Sequence, residues 1–258
     1  MITSPDNPKV RYARRLGDRG FRRREGRIVV EGVRLTADAL EAGLEPAFVL
    51  ASEGLDRTGA GRRLREALAA TAAPLLPASP AALVAAADTV TPQGVVAVFP
   101  TPRCPWPVTL GLVVVADGIQ DPGNMGTLLR TAAAAGADGA VVAPGSVDAF
   151  NPKALRAGMG AQFRLPVRGC PAQDVPDLLA GLQVVVADAG GAVEYTAVDW
   201  RAPSALVIGS EGRGASEALR SQSTTSAQIP LARGTESLNA AAAAAVMLFE
   251  AARQRRPG

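Results

Sequence analysis

Four prolines fall within eight residues, at Pro100, Pro102, Pro105 and Pro107, and no other stretch of this 258-residue chain limits its fold so sharply. Proline fixes φ and carries no N–H, so the segment suits neither a helix interior nor a central strand. It is expected to be a stiff connector. The sequence thus divides into a first domain at 1–100, a linker at 101–108 and a second domain at 109–258. On both sides strand-like and helix-like patterns alternate, which implies α/β layers. In the first domain, Asn7-Pro8 opens a helix to about Leu16. Strands follow at 27–30, 47–51, 74–76 and 95–99, with helices at 33–42, 60–70 and 80–86 between them. The second domain begins with the apolar run 110–116, suited to a central parallel strand. Further strands are expected at 139–143, 163–167, 183–187, 206–209 and 227–231, with helices at 126–135, 153–158, 173–180 and 215–221. A doubly wound parallel sheet results, and such sheets bind ligands beyond the carboxyl ends of their strands.

The chain has no histidine, which excludes histidine general bases, the Ser-His-Asp triad and His-ligated zinc. Cys104 and Cys170 match no metal spacing and no disulfide framework, as expected of a cytoplasmic protein. The N-terminal residues lack the apolar core of a signal peptide, and no apolar run is long enough to span a bilayer. Net charge is only +3, but its distribution is uneven. From Lys9 to Arg34 there are ten cations against three acids. A solvated face is one reading of that run; the other is a patch that grips phosphates, because the guanidinium fork binds phosphate oxygens in pairs.

Three polar, glycine-bearing loops follow apolar strands in the second domain. The first, Asp117-Gly118-Ile119-Gln120-Asp121-Pro122-Gly123-Asn124-Met125-Gly126, leads into a helix carrying Arg130. Its glycines permit positive φ and close ligand approach. It matches neither the dinucleotide fingerprint G-x-G-x-x-G nor a Walker A loop. The second is Gly209-Ser210-Glu211-Gly212-Arg213-Gly214, a carboxylate held among glycines. The third, Arg233 to Asn239, enters an alanine-rich helix that is apolar almost all round and is expected to be buried on every side. Ser237 is the expected N-cap, with Glu236 near the positive end of the dipole.

DGIQDPGNMGTLLRTA, ALVIGSEGRGAS and IPLARGTESLNAAAAAAVMLFE, in that order, resemble the three motifs of the SpoU/TrmH-type RNA 2′-O-ribose methyltransferases of the SPOUT superfamily. The likeness covers about Leu110 to the end. More loosely, ITSPDNPKVRYARRL and GRIVVEGVRLTADAL resemble the ribosomal-protein-like substrate-binding domain joined to many of these enzymes. The resemblance implies a small α/β domain followed by a parallel-sheet domain with a deep trefoil knot, a homodimer through the second domain, and S-adenosylmethionine held in the knotted loops without a metal. Carried over by position, Gly209, Ile229 and Leu238 line the cofactor pocket, with Gly190, Ser210, Gly212 and Leu231 beside them. Asn124, Arg130, Glu211, Ser237 and Asn239 form the catalytic group. Arg11, Arg14, Arg15, Arg22, Arg23 and Arg24 are assigned to RNA.

The implied reaction moves a methyl group from a sulfonium to a ribose hydroxyl, so the protein must chiefly align the hydroxyl and manage its proton. Arg130 and Glu211 are the charged candidates in these loops. Guanidinium stays protonated, so Arg130 suits clamping a phosphate or stabilising a developing alkoxide. Ribosomal RNA is the expected substrate, with the large subunit favoured. The alternatives are transfer RNA, a non-catalytic RNA-binding or ribosome-assembly protein on the same fold, and a nucleotide-dependent oxidoreductase.

Overall fold

The computed structural model describes residues 1–232 and 234–256. The first part of the chain runs α1 (Pro8–Arg15), α2 (Arg19–Glu25), β1 (Arg27–Glu31), α3 (Val33–Glu41), β2 (Phe48–Ala51), α4 (Gly59–Ala69), β3 (Leu75–Pro77), α5 (Pro80–Ala86) and β4 (Val95–Pro100). The remainder runs β5 (Leu112–Ala116), α6 (Pro122–Ala134), β6 (Gly139–Val142), α7 (Pro152–Gly158), β7 (Val167–Gly169), α8 (Val175–Leu178), β8 (Gln183–Ala187), β9 (Val193–Glu194), β10 (Ser204–Ile208), α9 (Glu217–Arg220), β11 (Thr225–Gln228) and α10 (Ala240–Arg255). Two compact units result: Met1–Pro102 with Phe150–Arg164, and Arg103–Ala149 with Leu165–Gly258.

The first unit holds a four-stranded sheet in the order β1-β4-β2-β3, with β4 antiparallel to both neighbours. Alternate residues serve opposite faces of a strand. Ile28, Val30, Val49, Ala97 and Phe99 point to one core, with Leu35, Leu64 and Leu68 from α3 and α4. Val29, Phe48, Leu50, Val96 and Val98 point to the other, with Val10, Ala13, Ala82 and Leu83 from α1 and α5. Leu155 of α7 and Phe163 join the first of these cores. The chain divides between Pro102 and Arg103, inside the expected 101–108 segment, but Phe150–Arg164, expected in the second domain, folds with the N-terminal unit because its apolar side chains complete that unit's core. The strand expected at 163–167 begins only at Val167 and runs to Gly169, because a short 3-10 turn occupies Ala161–Phe163. Helix α2 was also not anticipated; Asp18 caps it, accepting from Phe21 N at 2.7 Å, and Gly26 ends it at φ +60°.

The second unit holds a seven-stranded, all-parallel sheet ordered β7-β6-β5-β10-β8-β11-β9. Strands β6 and β7 lie on one side of β5, and all later strands on the other. That reversal opens a crevice at the carboxyl ends of β5 and β10. Strand β11 stops at Gln228, short of the expected 231, as Pro230 has no N–H for a ladder. Helix α10 packs on α6 through Ala240, Ala241, Ala244, Met247, Leu248 and Ala251. It is not buried all round as expected: Val246 and Phe249 are 37% and 47% exposed, on a face with Ala242.

Candidate functional site

Three loops meet at the crevice, and specific residues hold them there. Buried Asp117 follows β5; its N–H donates to Ile208 O at 2.9 Å, and its carboxylate accepts from Ser216 N at 2.5 Å. This one residue ties the first loop to the second. In the second loop Ser210 and Gly214 exchange backbone hydrogen bonds of 3.0 and 2.8 Å. A Cβ on Gly209 would lie 2.1 Å from Ala215 N, so only glycine allows the loop to fold back this closely. Helix α6 begins at Pro122, a turn before the expected 126, because Asp121 caps it and accepts from Asn124 N at 2.8 Å while Pro122 supplies a preset φ. Helix α10 is capped by Asn239, not Ser237: the Asn239 side chain accepts from Ala241 N and Ala242 N at 3.0 and 3.3 Å. Arg233, at the head of the third loop, lies outside the described residues.

These constraints bring Asn124, Glu211 and Asn239 together from three separate loops. Glu211 Oε1 accepts from Asn124 Nδ2 at 2.8 Å and from Asn239 Nδ2 at 2.9 Å, and Asn239 Nδ2 also reaches Asn124 Oδ1 at 3.0 Å. Among the described residues Glu211 Oε2 has no hydrogen-bond partner, so a carboxylate oxygen held in a fixed direction stays open to a ligand. Arg130 is not part of this cluster. It is exposed two helical turns further along α6 and, among the described residues, makes no hydrogen bond or ion pair. Six residues rotate a side chain by about 240° around a helix, which turns Arg130 away from Asn124.

Two recesses flank the cluster. One, of ≈ 290 Å³, is lined by Gly209, Ser210, Ile229, Leu231, Ser237 and Leu238, closed beneath by Ala243 and Met247 of α10. The other, of ≈ 580 Å³, lies over the first loop and is lined by residues including Gln120, Asn124 and Gly145. Glu211 borders both. Two residues assigned to cofactor binding fall elsewhere. Gly190 adjoins the first recess without lining it, its N–H donating to Asp188 Oδ1 at 2.9 Å, while Asp188 and Ala189 line it. Gly212 lies at the tip of its loop and lines the second recess.

An ion pair that sequence reasoning missed also lines the first recess. Arg220 Nη1 meets Asp188 Oδ2 at 2.5 Å, and Arg220 Nε donates to Ala215 O at 3.0 Å. Arg220 thereby braces the end of the second loop against the turn after β8. The Gly190 N–H and then Arg220 hold the Asp188 carboxyl below the usual carboxylate range. Its position at the carboxyl end of β8 was a readable signal, but pairing across 32 residues was not.

The first recess fits S-adenosylmethionine: apolar walls at Ile229, Leu231, Leu238 and Met247 suit an adenine ring, and Glu211 at its edge offers a carboxylate to the cationic sulfonium. Among the described residues no cluster of three His, Cys, Asp or Glu side chains could hold a metal, and no helix is long and apolar enough to cross a membrane.

In the N-terminal unit Arg11, Arg14, Arg15, Arg23 and Arg24 are exposed. Arg15 and Arg24 stack on Phe21 at 4.1 and 5.0 Å from the ring centre, so their planes are supported while their edges face out. Arg22 is different. It is 3% exposed and donates to Leu16 O and Gly17 O, both at 2.7 Å, closing the end of α1. Assignment of Arg22 to RNA is corrected accordingly, since its donors face the protein's own carbonyls.

Three motif loops on one crevice of an all-parallel sheet, with an apolar recess beside an Asn-Glu-Asn cluster, match solved methyltransferases of the SPOUT class, whose fold characteristically carries a trefoil knot. The SpoU rRNA Methylase family matches residues 111–249, and the MRM3-like substrate binding domain matches residues 7–97. The chain belongs to the SpoU rRNA methylase family. It is 34% identical to the 23S rRNA (guanosine(2553)-2′-O)-methyltransferase RlmP of Bacillus subtilis, over 96% of this chain and 98% of that one. Identity to mouse mitochondrial rRNA methyltransferase 3 is also 34%, over 92% of this chain and 70% of the relative. The crystal structure of the SpoU methyltransferase AviRb from Streptomyces viridochromogenes, in complex with AdoMet, superposes with a TM-score of 0.87 at 32% identity, covering 96% and 98% of the two chains.

Proposed function

We propose that this enzyme methylates a ribose 2′-hydroxyl in ribosomal RNA, with the large subunit favoured, using S-adenosylmethionine. The observation that carries the reading is the Asn124–Glu211–Asn239 cluster standing between two recesses, one suited to the methyl donor and one open to RNA. When bound, the cofactor supplies an activated methyl group, so the chain's task is alignment. Asn124 and Asn239 fix the direction of Glu211, whose open Oε2 receives or orients the hydroxyl hydrogen. Arg130, exposed, unpaired among the described residues and turned away from Asn124, suits a backbone phosphate of the RNA. The large subunit is favoured because the relative from Bacillus subtilis is named for 23S rRNA.

The exposed arginines of α1 and α2 are assigned to RNA backbone contact, supported by the match of this region to a substrate binding domain. A homodimer through the C-terminal unit is supported by the exposed apolar face of α10 at Val246 and Phe249. A reducing cytoplasm suits the free thiols of Cys104 and Cys170. The test is mass-spectrometric mapping of 2′-O-methyl sites in RNA from cells with and without the gene, joined to transfer of labelled methyl from S-adenosylmethionine to the unmethylated RNA. A site that disappears with the gene and returns in vitro is expected. An unchanged methylation map refutes the proposal.

A further inference from the structure

We propose that the second recess is the seat of the nucleotide being methylated, and that the Gln120 side chain contacts its base; this rests on the methyl-transfer reading above. In-line transfer needs the donor and the attacking hydroxyl on opposite sides of the moving group. The two recesses adjoin, both being lined by Ser210, Glu211, Arg213, Gly214 and Ala240, so a donor in one and a hydroxyl in the other would meet beside Glu211. The cluster that directs Glu211 sits where they join.

The second recess has the surface a base requires. Gly118 and Gly145, at φ +71° and +84°, bring side-chain-free backbone together: a Cβ on Gly145 would find Gly118 Cα, at 3.9 Å, as its only near neighbour. Pro144 and Gly145, both exposed, line the recess beside them, so little side-chain bulk stands there. Gln120 stands exposed on the rim, and its amide makes no hydrogen bond among the described residues. A carboxamide offers a donor and an acceptor side by side, the pattern that pairs with a base edge. The Arg213 side chain, also unpaired among the described residues, borders both recesses and suits the adjoining phosphate.

A base can enter such a recess only when it is outside a helical stack, so the substrate class is a single-stranded or extruded nucleotide. Gln120 is then a specificity-determining residue, distinct from the groups that handle the methyl and the proton.

The experiment uses the full-length enzyme and two oligoribonucleotides spanning the mapped methylation site. One is unmodified; the other is abasic at the target, which keeps the ribose hydroxyl and removes the base. Single-turnover methylation is measured for wild type and Gln120→Ala, with S-adenosylmethionine Kd by calorimetry. Removing the base is expected to slow wild type on the order of tenfold. Gln120→Ala should lose a similar factor on unmodified RNA, lose little more on abasic RNA, and bind cofactor within about twofold of wild type. Independent, multiplying losses, or wild-type speed for Gln120→Ala on unmodified RNA, would overturn the proposal. Failure of the wild type on any RNA would instead overturn the methyl-transfer reading, and this proposal with it.

Gly212→Leu gives a second check. Gly212 has ordinary backbone and open space where a Cβ would stand, so leucine is expected to obstruct the nucleotide seat while leaving cofactor Kd unchanged. Weaker cofactor binding with normal RNA methylation would move Gly212 to the cofactor side and refute the placement.

Discussion

Asn239 performs two separable tasks, and a pair of substitutions can tell them apart. Its Oδ1 caps α10, accepting from Ala241 N and Ala242 N, while its Nδ2 donates to Glu211 and Asn124. Asn239→Ala removes both. Loss of an N-cap costs about 1 kcal/mol, which for a chain of this size lowers Tm by roughly 2–4 °C. Asn239→Asp keeps the cap, because aspartate is as good an N-cap as asparagine. A carboxylate there also gains up to ~1 kcal/mol from the helix dipole. Against this stands repulsion from Glu211, which at water-like screening and contact distance is also about 1 kcal/mol. The two terms nearly cancel, so Tm should stay within about 2 °C of wild type.

Activity should follow the other task. Either change removes one of the two side-chain hydrogen bonds that direct Glu211, leaving only the one from Asn124, and at ~1 kcal/mol for an exposed bond kcat/KM should fall roughly fivefold in both variants. Scanning fluorimetry gives the Tm values, and transfer of labelled methyl to the mapped RNA gives the rates. Near-wild-type turnover by Asn239→Asp would refute the orienting role. A Tm loss equal to that of Asn239→Ala would refute the capping argument.

Other expectations follow from single contacts. Arg130→Ala should lower kcat/KM for RNA by about tenfold while cofactor Kd stays put, and an unchanged kcat/KM would remove Arg130 from RNA handling. Arg22→Ala should destabilise the protein by ~2 kcal/mol or more, since two carbonyls lose a charged donor. Neutralising Arg15, Arg23 and Arg24 should leave Tm nearly unchanged but flatten the dependence of log RNA affinity on log salt. The reverse pattern would exchange the roles assigned here. Arg220→Met should weaken S-adenosylmethionine binding by releasing the second loop, with partial rescue by Arg220→Lys; unchanged calorimetric Kd in both would make the pair irrelevant to the cofactor. Glu250 is pulled from 4.5 to about 2, first by Arg253 and then by Gln254. A lowered folded pKa adds stability that is complete above the unfolded value near 4.5 and is lost as pH falls toward 2. Glu250→Gln should therefore flatten the acid limb of a Tm–pH profile, and an unaltered limb would contradict the ion-pair account.

Much of the fold was legible because its strands are buried on both faces. Val113, Val114 and Val115, like Val184, Val185 and Val186, form continuous apolar runs that periodicity marks as central parallel strands. The three motif loops were legible because glycines and polar residues stand where such strands end. Helix α2 was hidden by its composition: Arg19–Glu25 has one large apolar residue, Phe21, so the segment resembled a charge run. Its signals were the cap Asp18 and the terminal Gly26, which bracket seven residues. The burial of Arg22 depends on where α1 ends, and no local pattern encodes that. Arg130 shares a motif with Asn124, yet helical rotation separates side chains that sequence spacing makes neighbours. Pairing of Asp188 with Arg220 and the place of Phe163 in the N-terminal unit's core are likewise long-range facts, visible only once the strand order is known.

Leu155 and Phe163 have a bearing on how the protein is made. Chains emerge from synthesis N-terminus first, and early domains usually condense before later ones appear. Here the leading unit must wait: when Pro102 emerges, the sheet face at Ile28, Val30 and Phe99 still lacks the two apolar side chains that finish its cover. A nascent fragment that stops before residue 150 has Leu35, Leu64 and Leu68 over that face but lacks Leu155 and Phe163, so completion of the front half's core is timed by translation of the back half.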